Sequence, residues 1–213
     1  MPDLKENKPY GELDELEVTV ICEDSVQYES PYLGQHGISL LIRGRREGVS
    51  GTILMDVGQN PSALLENFKL MKINPAEIDS VVLTHCHYDH TQGLAEILKA
   101  IGKKDLPVIA HPSIFRLNFS TFPYLRNVGV MMGDREEALR NAGAELYLTR
   151  DPLQLMSGIF TTGEVKRVTD FEEAGISLST IDDGHVKPDP MMDDISIAAA
   201  LREKPPVFLQ AVP

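Results

Sequence analysis

The chain has 213 residues, 42% hydrophobic and 24% charged, enough to bury roughly 70% of its unfolded surface without disulfide support. Its 20 basic and 32 acidic residues leave a net charge of −12, which excludes nucleic acid as the main partner because phosphate neutralisation needs a basic face. No apolar run reaches the roughly 18 residues of a membrane span. The polar, acidic start MPDLKENKPYGELDELEV does not read as a secretory leader. Cys22 and Cys86 are too few for a disulfide framework, so the expectation is a cytoplasmic protein with free thiols.

In chain order, LEVTVIC (16–22) has alternating apolar positions and reads as a strand. GISLLIRG (37–44) and GTILMDVG (51–58) read as two more, joined into a hairpin by a charged turn. Asn60 and Pro61 then suit the N-cap and first position of a helix through ALLENFKLMKI (63–73). SVVLTH (80–85) is a short apolar strand, and Gly93 opens a second amphipathic helix that Gly102 ends. LPVIAH (106–111) is strand-like again. Residues 112–135 carry Phe115, Phe119, Phe122, Tyr124, Met131 and Met132 without clean periodicity. They read either as an apolar lid inserted into the scaffold or as an irregular core-packing segment. REEALRNAG (135–143) predicts a short helix, and ELYLT, QLMSGIFTTG (154–163), ISLSTID (176–182) and ISIAAAL (195–201) predict strands. Hairpins first, strand–helix units next and further strands last imply a layered α/β (α+β) fold in a single domain, 1–213.

Acidity is concentrated. Residues 1–30 hold nine acidic and two basic side chains, and IDDGHVKPDPMMDD (181–194) holds five aspartates against one lysine. Neither matches the spacing of an EF-hand loop, so both read as solvated faces.

One segment carries chemistry. After the apolar strand comes His85-Cys86-His87-Tyr88-Asp89-His90, then Gly93 and a helix. Imidazole and carboxylate are ligands that zinc, iron and manganese all accept. At a strand end, His85 and His87 share one side and can pinch one ion, while Asp89 and His90 can face a second about 3.5–4 Å away. The plain alternative is a loop of surface histidines with Cys86 and Tyr88 packed inward.

HCHYDH resembles the H-x-H-x-D-H signature of the metallo-β-lactamase superfamily. HGISLLIRG, the run ILMDVG through HTQGL, IAHPSIF and TGEVKRVTDFE resemble one branch of it, the 7,8-dihydropterin-6-methyl-4-(β-D-ribofuranosyl)aminobenzene-5′-phosphate synthase-like proteins. The resemblance implies an αββα sandwich with its metal ligands on loops at one edge. It also implies that His85 and His87 bind a first ion and Asp89 and His90 a second. Zinc is the first choice, with iron or manganese as alternatives and one or two ions per chain. Asp89 is also implied as a catalytic proton shuttle, Asp56 as the carboxylate that orients a ligand histidine, and His36 as a residue at the site mouth. His111 follows a strand and either lines the pocket or simply packs.

The resemblance further implies later ligands, beginning with a histidine after a strand like PPVFL (205–209). The sequence instead reads Gln210-Ala211-Val212-Pro213, so the expected fold lacks its C-terminal part. His185, in the polar stretch DDGHVKPDP, is a poor substitute. The functional expectation is a metal-dependent hydrolase or transferase acting on a small ester or phosphoester, with a dihydropterin phosphate as the most specific substrate. The alternative is a non-catalytic metal-binding or homo-oligomer-forming module that kept the fold without the complete site.

Overall fold

The computed structural model describes residues 10–168 and 178–211. The N-terminal residues 1–9, the first two positions of the strand expected over 176–182, residues 169–172 of TGEVKRVTDFE, and 212–213 lie outside the described residues. The first sheet has six strands, in the order β1 (Glu15–Cys22), β2 (Ser39–Arg46), β3 (Val49–Met55), β4 (Ser80–Val82), β5 (Leu106–Ala110) and β8 (Ala144–Leu148). β1 to β3 are antiparallel, and β3, β4, β5 and β8 run parallel.

Alternation along these strands builds two cores. The register aligns Leu41, Leu54, Val81 and Val108 on one face and Leu40, Met55, Val82 and Ile109 on the other. The first row packs under the helices α1 (Pro61–Leu70), α3 (Leu94–Ile101) and α4 (Glu136–Asn141), against Leu64, Phe68, Leu94, Ile97 and Leu139. The second row packs against Ile159, Ile197 and Ala199. Those residues belong to a four-stranded antiparallel sheet of β9 (Gln154–Met156), β10 (Ile159–Thr161), β13 (Ile197–Ala199) and β14 (Val207–Leu209). Each side chain so buried contributes roughly 1.5–3 kcal/mol. The described residues thus form three layers, helix, sheet and sheet; an outer helical layer is not among them. On the outer face of the second sheet Phe160, Ala198 and Phe208 lie in register, and Tyr10 stacks on Phe160 at 4.3 Å.

Several sequence expectations are corrected. α1 ends at Leu70 rather than Ile73, because Lys72 adopts φ +57° and Ile73 N–H turns back to Phe68 O at 2.8 Å. QLMSGIFTTG is two strands, β9 and β10, broken at Gly158 (φ +86°). The polar loop expected at DDGHVKPDP is partly strand: Asp183 and Gly184 (φ +50° and +75°) make a two-residue hairpin between β11 (Leu178–Asp182) and β12 (His185–Pro188). All four β12 residues are exposed, so no burial alternation marks it. The 112–135 stretch contributes β6 (Phe119–Ser120) and β7 (Arg126–Asn127), which join β11 and β12 in a third, antiparallel sheet. Within it Ile114, Asn118, Val128 and Val130 are buried, while Phe122, Tyr124, Leu125 and Met132 are exposed.

α3 starts at Gly93, which has φ +87° and no side chain to cap the helix. The cap comes from Asp134 instead, whose carboxylate accepts the Gly93 and Ala95 N–H groups at 2.8 and 2.9 Å. Asp134→Ala should therefore cost about 1–2 kcal/mol in urea unfolding, as loss of a capping carboxylate does elsewhere.

Candidate metal centre

Parallel strands deliver the site. β3, β4 and β5 end side by side, and the chain leaving each end carries Asp56, Thr84 to His87, and His111. This carboxyl-terminal edge is where open α/β sheets place their ligands. Asp56 N–H donates to Val82 O (2.9 Å) and Leu83 N–H to Ile109 O (2.9 Å), so the exits stay hydrogen-bonded beyond the last strand residues. A short helix, α2 (Tyr88–Thr91), then carries Asp89 and His90.

Asp56 is fully buried with φ +55°. Its Oδ1 accepts Thr84 N–H at 2.8 Å, and its Oδ2 accepts the Thr84 hydroxyl at 2.7 Å and faces His90 Nδ1 at 2.9 Å. Thr84 Oγ1 also lies 3.0 Å from His85 Nδ1. The hydroxyl has one proton, and it goes to Asp56, so His85 Nδ1 is the protonated nitrogen and its Nε2 carries a bare lone pair. That Nε2 and His87 Nε2 are both buried with no hydrogen-bond partner. Burial holds both imidazoles below the ordinary histidine range and so neutral. Two neutral, dry lone pairs are what a soft divalent cation takes as ligands.

His90 behaves differently. Burial lowers its affinity for a proton, but Asp56 and Asp89 outweigh that and push its pKa up to about 10. His90 Nε2 is 3.4 Å from Asp89 Oδ2. Burial raises the Asp89 carboxyl, the His90 contact outweighs this, and the net pKa falls below the usual range. The protonated His90 ring thus bridges two carboxylates, Asp56 through Nδ1 and Asp89 through Nε2, and a cation entering at Nε2 must displace the proton there. The rings of His85 and His90 sit 4.1 Å apart between centroids, and those of His85 and His87 4.8 Å apart. Among the described residues no three His, Cys, Asp or Glu side chains converge on one point as they stand. The donor set fits a divalent ion by its chemistry, through the orphaned nitrogens of His85 and His87.

His36 Nε2 lies 3.4 Å from Asp89 Oδ2 and the side chain is more than half exposed. His111 is fully buried with both nitrogens engaged: Nδ1 accepts Ser113 N–H at 3.0 Å, and Nε2 is 3.1 Å from Glu164 Oε2. His185 is exposed on β12, opposite Asp182.

The acids missed in the sequence are Asp193 and Asp194. Ile195 N–H donates to Thr84 O (3.0 Å), which sets Asp194 beside the histidine segment, and Asp193 Oδ2 accepts Cys86 N–H at 2.7 Å. Oδ1 of each is buried and unpartnered. Burial first, then the Asp193 charge, raise Asp194 to about 6. Their signal was present in PMMDDISI, two aspartates directly before a buried strand, but pairing with Thr84 and Cys86 spans more than 100 residues.

Two variants test this geometry. A Cβ on Gly37 (φ +83°) would lie 1.7 Å from Asp89 O, so Gly37→Ala must displace Asp89 and should lower metal affinity about tenfold or more in chelator competition. A folded-state pKa above the free value means Asp194 stabilises only while protonated, below about pH 4, and costs stability as pH rises through about 6. Asp194→Asn in chelator should therefore raise Tm by a few degrees at pH 8 and leave it unchanged at pH 3.5.

The metallo-β-lactamase superfamily model matches residues 37–182. The 7,8-dihydropterin-6-methyl-4-(β-D-ribofuranosyl)-aminobenzene-5′-phosphate synthase of Methanocaldococcus jannaschii is 37% identical over 191 residues, 88% of this chain and 65% of that protein. An uncharacterized protein of the same organism, MJ0448, is 31% identical over 182 residues, 84% of this chain and 64% of its own length. The chain therefore spans just under two-thirds of these relatives. The crystal structure of Tm1679, a metal-dependent hydrolase of the beta-lactamase superfamily, superposes with a TM-score of 0.63 at 17% identity, over 87% of this chain and 61% of that one. No helix among the described residues is long and apolar enough to cross a membrane. With residues 37–182 matched by that family model, the strand-end histidines and buried Asp56 among them, the chain belongs to the metallo-β-lactamase superfamily.

Proposed function

We propose that this chain carries the metal half-site of a hydrolase or transferase acting on a small ester or phosphoester. The observation that carries the reading is the pair of buried, unpartnered Nε2 atoms of His85 and His87 beside the Asp56–His90 pair. His85 and His87 would hold one divalent ion and Asp89 and His90 a second, with zinc the best match to neutral imidazoles and iron or manganese as alternatives. When bound, the metal supplies Lewis-acid polarisation and lowers the pKa of a water near it. The chain's own residues do the rest. Asp56 holds His90 by Nδ1 so that Nε2 points outward, Thr84 does the same for His85, and Asp89 can accept a proton at Oδ2 and release it toward His36 at the mouth.

A small-molecule substrate would have room in a cavity of about 580 Å³ lined by Ser113, Arg116, Thr180, Ile181, Lys187 and Met192, which meets the histidine segment through the Arg116–Asp193 pair rather than through the histidines themselves. The similarity to the dihydropterin phosphate synthase favours a phosphorylated pterin or aminobenzene ribofuranoside as the substrate class. The absence of three converging donors among the described residues favours a second reading, a module that keeps the fold without catalysing.

Metal analysis of the purified protein, followed by a turnover assay, separates the two readings. About one to two equivalents of zinc, iron or manganese, lost in a His85→Ala/His87→Ala variant, is the result expected of a working centre. Below about a tenth of an equivalent, the metal reading fails and the module reading stands. Metal-loaded protein should then hydrolyse or transfer phosphoester and dihydropterin phosphate probes at a rate that the double variant lowers by at least about a hundredfold.

A further inference from the structure

We propose that Arg116 and Asp193 are positioning residues of the metal centre, a role that rests on the metal reading above. Cys86 lies between the two histidines with orphaned nitrogens, and its N–H is held by Asp193 Oδ2 at 2.7 Å. The same oxygen lies 2.7 Å from Arg116 Nη1. Arg116 is itself fixed: its Nε donates to Asp189 Oδ2 at 2.7 Å, and its Nη1 to Ser113 O at 3.2 Å. Asp193 is fully buried and its Oδ1 has no partner. Without the guanidinium its charge would be left uncompensated in a dry site, a state that drives a buried carboxylate toward water or another partner. That movement loosens its hold on the Cys86 amide, and with it the spacing of the His85 and His87 rings. The arginine comes from the apolar 112–135 segment and lines the 580 Å³ cavity, so it links the wall of that cavity to the histidine segment. Supporting partners of metal ligands commonly change affinity by roughly 10–100-fold.

The test uses zinc affinity by chelator competition and the visible spectrum of the cobalt(II) form, for wild type, Arg116→Met, Arg116→Lys, Asp193→Asn and the remote core variant Phe68→Leu. Arg116→Met should weaken zinc binding about tenfold or more and alter the cobalt bands, with Arg116→Lys restoring part of both. Phe68→Leu, which loses stability through the helix-side core, should leave affinity and spectrum unchanged. The proposal is overturned if Arg116→Met binds zinc within about twofold of wild type, or if Phe68→Leu weakens binding as much. Should Arg116→Met fail to fold, Arg116→Lys and Asp193→Asn are judged by the same two criteria. A wild-type chain that binds no zinc, iron or manganese overturns the metal reading itself and this proposal with it.

Discussion

The fully buried carboxylate of Asp56 is the constraint on which the site depends. An ionised carboxylate out of water is costly unless it is paired and hydrogen-bonded. Asp56 meets that condition with the Thr84 amide, the Thr84 hydroxyl and His90 Nδ1. These partners lie 28 and 34 residues further along the chain, and only the parallel pairing of Met55 with Val82 brings them alongside. The same three bonds leave Nε2 of His85 bare and turn Nε2 of His90 toward Asp89. Fold and histidine orientation therefore share one cause: the β3–β4 register sets Asp56, and Asp56 sets the histidines.

Much of this was legible in the sequence where local pattern and tertiary role agree. Asn60 and Pro61 begin α1 as their chemistry predicts, with Asn60 Oδ1 accepting Ser62 and Ala63 N–H. The β2–β3 hairpin follows from two apolar runs joined by a charged turn at Glu47-Gly48, and the histidine cluster follows an apolar strand as read. The features that local pattern does not show are held by long-range partners. β12 is solvated on every residue and is a strand only because β11 pairs with it. Asp134 caps a helix some 40 residues earlier, and Arg116 gathers Asp189 and Asp193 from the far end of the described chain. No window of local sequence contains both members of such a pair.

The 112–135 segment shows the same limit from another side. Its apolar residues divide into a buried set, with Ile114 in the helix-side core and Val128 against Leu178 and Met191, and an exposed set at Phe122 to Leu125. A periodic element would have shown that division in the sequence. Here it comes from two-residue strands and side-chain bonds such as Asn118 Nδ2 to Asp189 Oδ2 at 2.5 Å. The segment is tied to the scaffold by a few buried apolar residues together with polar contacts, so aromatic content alone left lid and packing readings equally open.

Charge completes the argument. Asp56, Asp89, Asp193 and Asp194 surround three histidines, and burial keeps two of those histidines neutral. Arg116 offsets part of the negative charge, at Asp189 and Asp193, and a proton on His90 offsets part at Asp56 and Asp89. Asp194 is left to meet its burial by rising toward neutrality. Such a site repels a phosphate or carboxylate as it stands, in a chain already at −12. Under the metal reading proposed above, a divalent cation would reverse the local sign, and an anionic substrate would then depend for its affinity on the same carboxylates that attract the metal.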